Sequence, residues 1–441
     1  MSARVSAPSP GARSRLPLAY LGLAHLSLIL AGAALAAAPQ SFVGFYYHPR
    51  MLAVVHLVTL GWITGSIVAA LYMIGPLVLR LELPPRRLDT VAFTLWALGL
   101  AGMVAHFWID RPNGMAWSAG TAALGLTLAL GRAAAAVRRA PAPREIKLHV
   151  LLSLGNFAGA ATAGVLLAIQ KNTPFLPGKP LDDVYAHAHL AALGFATLMV
   201  MGFGYRLVPM LLPAATPSGP RVAATAWLLS AGAWGLFAGF LLANPWILGA
   251  GAVLAAAAIV IFLARVLWMR RHLRPAPAER PLPDWGVWHV AAALACLALA
   301  TGLGLALALL PDGLWKLRVG PVYGALGLLG FLAQMVLGVN ARMLPVWIWM
   351  QAYGGRLWEG APPSPWALAP RSLQAATLAL WNCGLLLLLA GLGLERAALI
   401  GTGGAALALA VVLDAVSGIR QLRRTPRLRV AVVSEPKGDH R

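Results

Sequence analysis

Two histidines stand in the same frame of neighbours. His56-Leu-Val-Thr-Leu-Gly61 is followed by Tyr72 and Pro76, and His189-Leu-Ala-Ala-Leu-Gly194 by Tyr205 and Pro209, so four residue types recur at offsets zero, five, sixteen and twenty. Both rings lie in long apolar runs, where an ionisable side chain is costly and is a functional candidate by default. A neutral imidazole is a strong axial ligand for haem iron, and apolar helices can hold the macrocycle and set its potential. Each histidine is about six residues, roughly 9 Å, from one end of its run, so the two share a depth. A bis-histidine b-type haem between the two segments would need their nitrogens about 4 Å apart, at about 2 Å per metal bond. The competing use of each ring is a hydrogen bond to a neighbouring helix.

His187, two residues before His189, lies about 200° around the same helix and cannot readily bind the same metal. It is expected either to serve a second haem or metal, or to face the aqueous loop near Asp182 and Asp183. His48 beside Arg50 reads as a loop residue, although Arg50 could pair with a haem propionate. His25, His149 and His289 each sit on the first helix of a repeat, nearer the opposite membrane face, and read as hydrogen-bonded core. His106, His272 and His440 read as solvated. Met199, Met201, Met210, Met335 and Met343 are soft enough for copper, but their scatter reads as packing.

The elements that must position these residues follow from composition. The chain has 441 residues, 59% hydrophobic and 11% charged, with a mean hydropathy of +0.74, which excludes a single aqueous globule. Cys296 and Cys383 are the only cysteines, which excludes a disulfide framework and a Cys-x-x-Cys-His haem attachment. Apolar runs long enough to cross about 30 Å of hydrocarbon fall near 16–38, 50–79, 89–109, 114–137, 146–170, 184–212, 221–243, 246–269, 285–310, 319–350, 367–392 and 396–419. The first exceeds the length of a signal-peptide core and is kept as a span. The expected fold is an all-α polytopic membrane protein of about twelve helices in three pseudo-symmetric four-helix arcs. Its parts are a cytoplasmic tail over 1–15, one transmembrane domain over 16–420 with repeats near 16–137, 146–269 and 285–419, and a basic tail over 421–441.

The third repeat keeps Gly330 and Pro345 of the frame but has Ala325 and Ala341 where histidine and tyrosine would stand. An even helix count puts both termini on one face. That face holds 28 of the 35 basic residues, against Arg50, Arg111, Lys171, Lys179, Lys316, Arg318 and Arg396 on the other. By the positive-inside rule both termini are cytoplasmic and the membrane is the cell's inner membrane. The formal net charge of +21 is therefore a topology and lipid-headgroup signal, not a nucleic-acid footprint. Arg206 and Arg342 correspond by repeat and are expected to snorkel to headgroups.

Three four-helix arcs with histidines on the second helix resemble the catalytic subunit of haem-copper oxidases and nitric oxide reductases, and the related NnrS-type haem membrane proteins. The segment His187-Ala-His189-Leu-Ala-Ala-Leu-Gly194, running on to Gly204-Tyr205-Arg206-Leu-Val-Pro209, is similar to the His-x-His helix of C-type oxidases. The resemblance implies haem b, with His56 and His189 as axial ligands and His187 at a second site. It also implies an electron-donor protein or quinol, or a diatomic gas such as nitric oxide, as partner beside the lipid bilayer. The chain departs from the oxidases where oxygen is reduced. Helix seven has no histidine pair for a three-histidine copper, and helix ten has no haem ligands. Asp414 is the only acid well inside a span, and Tyr72, Tyr205, Asn156 and Gln334 more often bond neighbouring helices. The expected function is electron transfer or gas response, without turnover as an oxygen-reducing pump. The alternatives are a permease or metal transporter on the same scaffold, and an assembly subunit with no cofactor.

Overall fold

A computed structural model describes residues 15–276, 281–354 and 363–424. Residues 1–14 and 425–441, which hold most of the two expected tails and His440, lie outside the described residues. Twelve helices are long and apolar enough to cross a membrane: α1 (Arg15–Ala37), α2 (Pro49–Met73), α3 (Arg87–Trp108), α4 (Met115–Arg139), α5 (Arg144–Gln170), α6 (Pro180–Leu211), α7 (Pro220–Leu241), α8 (Pro245–Arg271), α9 (Trp285–Leu309), α10 (Leu314–Tyr353), α11 (Arg371–Gly393) and α12 (Ala397–Arg423). The chain is thus an all-α, multi-pass membrane protein. Among the described residues there is no strand, only an isolated bridge between Ala214 and Leu273.

Boundaries follow local chemistry. Proline opens α2, α6, α7 and α8, at a position where its missing N–H is no loss. Asn244 caps α8 by accepting from the backbone N–H groups of Trp246 and Ile247, and Asp284 caps α9 by accepting from Val287. The run expected over 50–79 breaks at Ile74, before Gly75-Pro76, and continues as a short turn of helix over Gly75–Leu79.

The three arcs are visible in the packing. α2, α6 and α10 are the most buried spans and form the centre, each clasped by the helix before it: α1 on α2, α5 on α6, α9 on α10. The ring closes where α4 meets α5, α8 meets α9 and α12 meets α1. Each central helix contains eight residues of π-helix: Leu57–Thr64, Leu190–Thr197 and Leu326–Ala333. The three begin directly after His56, His189 and Ala325 and touch one another pairwise. Such wide turns bond i to i+5, and they gather at functional sites.

The glycine of the frame has a packing reason in every repeat. A Cβ on Gly61 would lie 2.4 Å from Cβ of Ser27, one on Gly194 3.2 Å from Cβ of Asn156, and one on Gly330 2.9 Å from Cβ of Cys296. These contacts set the register of the clasping helices, and seven residues before each stand Tyr20, His149 and His289. His25 is therefore out of register with the other two, although all three sit on the first helix of their repeat. Towards the face that carries the termini, α2, α6 and α10 surround an apolar cavity lined by Ile67, Met73, Met199, Phe203, Met335 and Met343.

Candidate functional site

His56 and His189 begin the π-helical segments near the opposite face. The Nδ1 of His56 lies 2.7 Å from the carbonyl of Leu52, and that of His189 lies 2.8 Å from the carbonyl of Tyr185. A carbonyl only accepts, so Nδ1 carries the proton and Nε2 keeps its lone pair, the state of an imidazole prepared for a metal. The His187 ring is fixed in the same way, its Nδ1 2.9 Å from the carbonyl of Ala160 on α5.

The two frame histidines face different helices, His56 the Phe107 ring on α3 and His189 α10. His189 turns its Nε2 to α10, 3.3 Å from the Tyr323 hydroxyl, with the two rings stacked at 6.0 Å. The α6 histidine that interacts electrostatically with His56 is His187. The cause is helical geometry: two rings about 200° apart on α6 must face different neighbours, so His187 packs on α5 and His189 on α10.

Two repeat-related clusters of side chains result. In one, between α2, α3, α5 and α6, His56 stacks on Phe107 at 5.0 Å, and His187 packs where a Cβ on Gly164 would lie 2.9 Å from its Cε1. In the other, between α6, α7, α9 and α10, His189 lies over Phe240 at 5.2 Å, and Tyr323 packs where a Cβ on Gly304 would lie 3.0 Å from its Cε2. The correspondence is residue for residue: His56 with His189, Phe107 with Phe240, His187 with Tyr323, Gly164 with Gly304. At the third junction the same positions are Ala325 and Val54, which offer no ligand.

The first cluster lies under a basic and aromatic rim. Arg50 sits over the Trp108 ring at 5.3 Å and donates to Ser41 Oγ at 2.7 Å. Lys171 approaches the rings of Tyr47 and Phe107, donates to the Tyr47 hydroxyl at 3.3 Å and is an electrostatic neighbour of His56. Over the second cluster, the Tyr46 and Tyr185 hydroxyls are hydrogen-bonded to each other. Tyr46 lies in the loop before α2, and burial raises its phenol above the ordinary range. His48 caps α2 by accepting from the Arg50 backbone N–H at 3.3 Å.

The remaining polar residues are mostly structural. Asn156 joins three helices: its Nδ2 donates to the Gly194 carbonyl at 2.9 Å, and its Oδ1 accepts from Trp234 Nε1 at 2.9 Å and Ser230 Oγ at 3.2 Å. His149 Nε2 is 3.0 Å from Thr225 Oγ1, which also meets the Tyr205 hydroxyl at 3.1 Å. Gln334 donates to Asn382 at 3.0 Å. Arg342 does not snorkel: it is buried, 3.4 Å from Asp284 and 4.0 Å over the Trp366 ring. Among the described residues no three His, Cys, Asp or Glu side chains converge as a metal cluster. Tyr323 was missed in the sequence, yet it stands 136 residues after His187, the spacing that separates His189 from Ala325. No family model matches the chain, and no curated protein matches it in sequence.

Proposed function

We propose that the chain is a haem-binding protein of the haem-copper oxidase and NnrS type, seated in the cytoplasmic membrane with both termini inside, and that it carries electrons or binds a diatomic gas. The observation that carries the reading is that His56 and His187, on adjacent central helices, each have Nδ1 fixed on a backbone carbonyl. The donor set fits haem: two neutral imidazoles with Nε2 available in apolar surroundings, and two cations at the rim. His56 and His187 would hold the haem through Nε2, and Arg50 and Lys171 would pair with its carboxylates. A haem held this way supplies one-electron redox chemistry.

The protein's own groups give the second cluster a different character. His189 offers one imidazole, and across from it Tyr323 offers a hydroxyl in place of a second strong nitrogen ligand. A small ligand there would displace the Tyr323 hydroxyl from His189 Nε2, 3.3 Å away, and would then hydrogen-bond to it. Phe107 and Phe240 hold the His56 and His189 rings in orientation and keep water from their faces. The basic residues concentrated on the face with the termini support the inside orientation.

The test is a pyridine haemochrome assay and reduced-minus-oxidised spectra on protein purified from cells supplied with iron, repeated after nitric oxide and carbon monoxide. Stoichiometric haem with sharp low-spin bands is expected, and a second, gas-sensitive component if the His189 site is filled. Protein without haem that remains monodisperse and folded overturns the reading.

A further inference from the structure

Away from the two histidine clusters, α1 and α12 bring two ionisable groups together in the half of the membrane nearer the termini. His25 Nδ1 donates to the Leu21 carbonyl at 2.7 Å, which leaves Nε2 facing Asp414 Oδ2 at 3.0 Å. Two arrangements satisfy that contact: an imidazolium beside a carboxylate, or a neutral imidazole accepting from a carboxylic acid. Either way one proton lies on the line between Nε2 and Oδ2, and its loss leaves a carboxylate facing a lone pair. The pair is nearly buried, with side chains 10% and 13% exposed, so water does little to hold the proton on either side.

His289 on α9 is an electrostatic neighbour of Asp414 and is 2% exposed, and among the described residues its Nδ1 has no hydrogen-bond partner. His25, His56, His149 and His189 all anchor Nδ1 on the carbonyl four residues back, so His289 differs in having no tautomer fixed by that bond. A ring free to exchange tautomers can take a proton on one nitrogen and release it from the other.

A polar stripe leads to the pair. Ser417 and Gln421 stand three and seven residues after Asp414 on the same face of α12. Both are buried, Gln421 Nε2 donates to Ser417 Oγ at 3.2 Å, and Gln421 Oε1 has no partner. These groups run from Asp414 towards the face that carries the termini. The other charges on the packed elements are Arg15 on α1, Arg342 with Asp284 where α9 and α10 meet, Arg371 on α11, and Arg420 and Arg423 beyond the stripe on α12.

We infer that His25 and Asp414 form an intramembrane proton-binding site, loaded from the face of the termini along Ser417 and Gln421, with His289 acting on it electrostatically. The binding step moves one proton from water to the Asp414 carboxylate or the imidazole beside it, with no other bond made or broken. The inference stands apart from the haem reading, because it concerns different helices and needs no cofactor.

The experiment is pH-difference infrared spectroscopy on the full chain in lipid nanodiscs. A pH-dependent protonated-carboxyl band that shifts in deuterium oxide is expected, absent in Asp414→Asn and displaced by half a pH unit or more in His25→Gln and His289→Gln. Retention of every pH-dependent carboxyl band in Asp414→Asn overturns the proposal. If that variant fails to assemble, the histidine variants decide: an unmoved midpoint in both overturns it, and a moved one supports it.

Discussion

His187 and Tyr323 occupy the same position on α6 and α10, each two residues before the start of the frame, and each is wedged against a glycine of the clasping helix, Gly164 and Gly304. The scaffold therefore builds one side-chain arrangement twice and changes one residue of it. The first expected consequence is a division of labour. His56→Ala and His187→Ala should each remove the low-spin haem signal, whereas His189→Ala should leave it and abolish only a gas-sensitive component. Difference spectra on the three purified variants check this, and equal loss in all three would refute two independent sites.

Exchanging the variable ligand should exchange the chemistry. Tyr323→His would give the second cluster two imidazoles, so its haem should become low-spin and stop responding to carbon monoxide. Tyr323→Phe removes the hydroxyl 3.3 Å from His189 Nε2 and should keep the gas response while weakening hydrogen bonding to the bound gas. The stretching frequency of bound carbon monoxide reads that change.

Close packing at the centre predicts a position-specific cost. A methyl added at Gly61 would meet Ser27 at 2.4 Å, whereas one at Gly22 meets nothing within 4 Å. Gly61→Ala should destabilise by about 1–3 kcal/mol, the usual range for overpacking, and Gly22→Ala should be neutral or slightly stabilising. Thermal aggregation in detergent, followed by size-exclusion chromatography, separates the two.

The membrane interior also holds a polar joint. Asn156→Ala would strand the Trp234 N–H and disconnect Ser230 and the Gly194 carbonyl, at about 1–3 kcal/mol for a buried group left unpaired. Asn156→Leu keeps volume but not bonding, so it should fall with Asn156→Ala in the same melting assay. A melting point restored by leucine would show that packing, not hydrogen bonding, holds the joint.

The spans and the repeat were legible because both are written in local signals: apolar length fixes a crossing segment, and identical offsets fix equivalent helices. Which histidine meets which was not, because it depends on how α6 is rotated between its neighbours, and two residues of sequence separate opposite directions. The Asp414–His25 contact joins residues 389 positions apart, on the helices that close the ring, so no local pattern reports it. Arg342 misled for a related reason: its partner Asp284 caps a helix that pattern alone does not place beside it.

The π-helical segments bear on more than where the histidines begin. A wide turn inserts residues into the regular spiral, and each extra residue turns everything beyond it by about 100°. The two ends of α2 are thus out of phase: His56 looks sideways between arcs while Ile67 and Met73 look inward to the central cavity. If a segment tightened to an ordinary helix, one end would have to rotate against the other. A ligand pulling on His56 would then be felt at the cavity as a turn of the helix rather than a push along it.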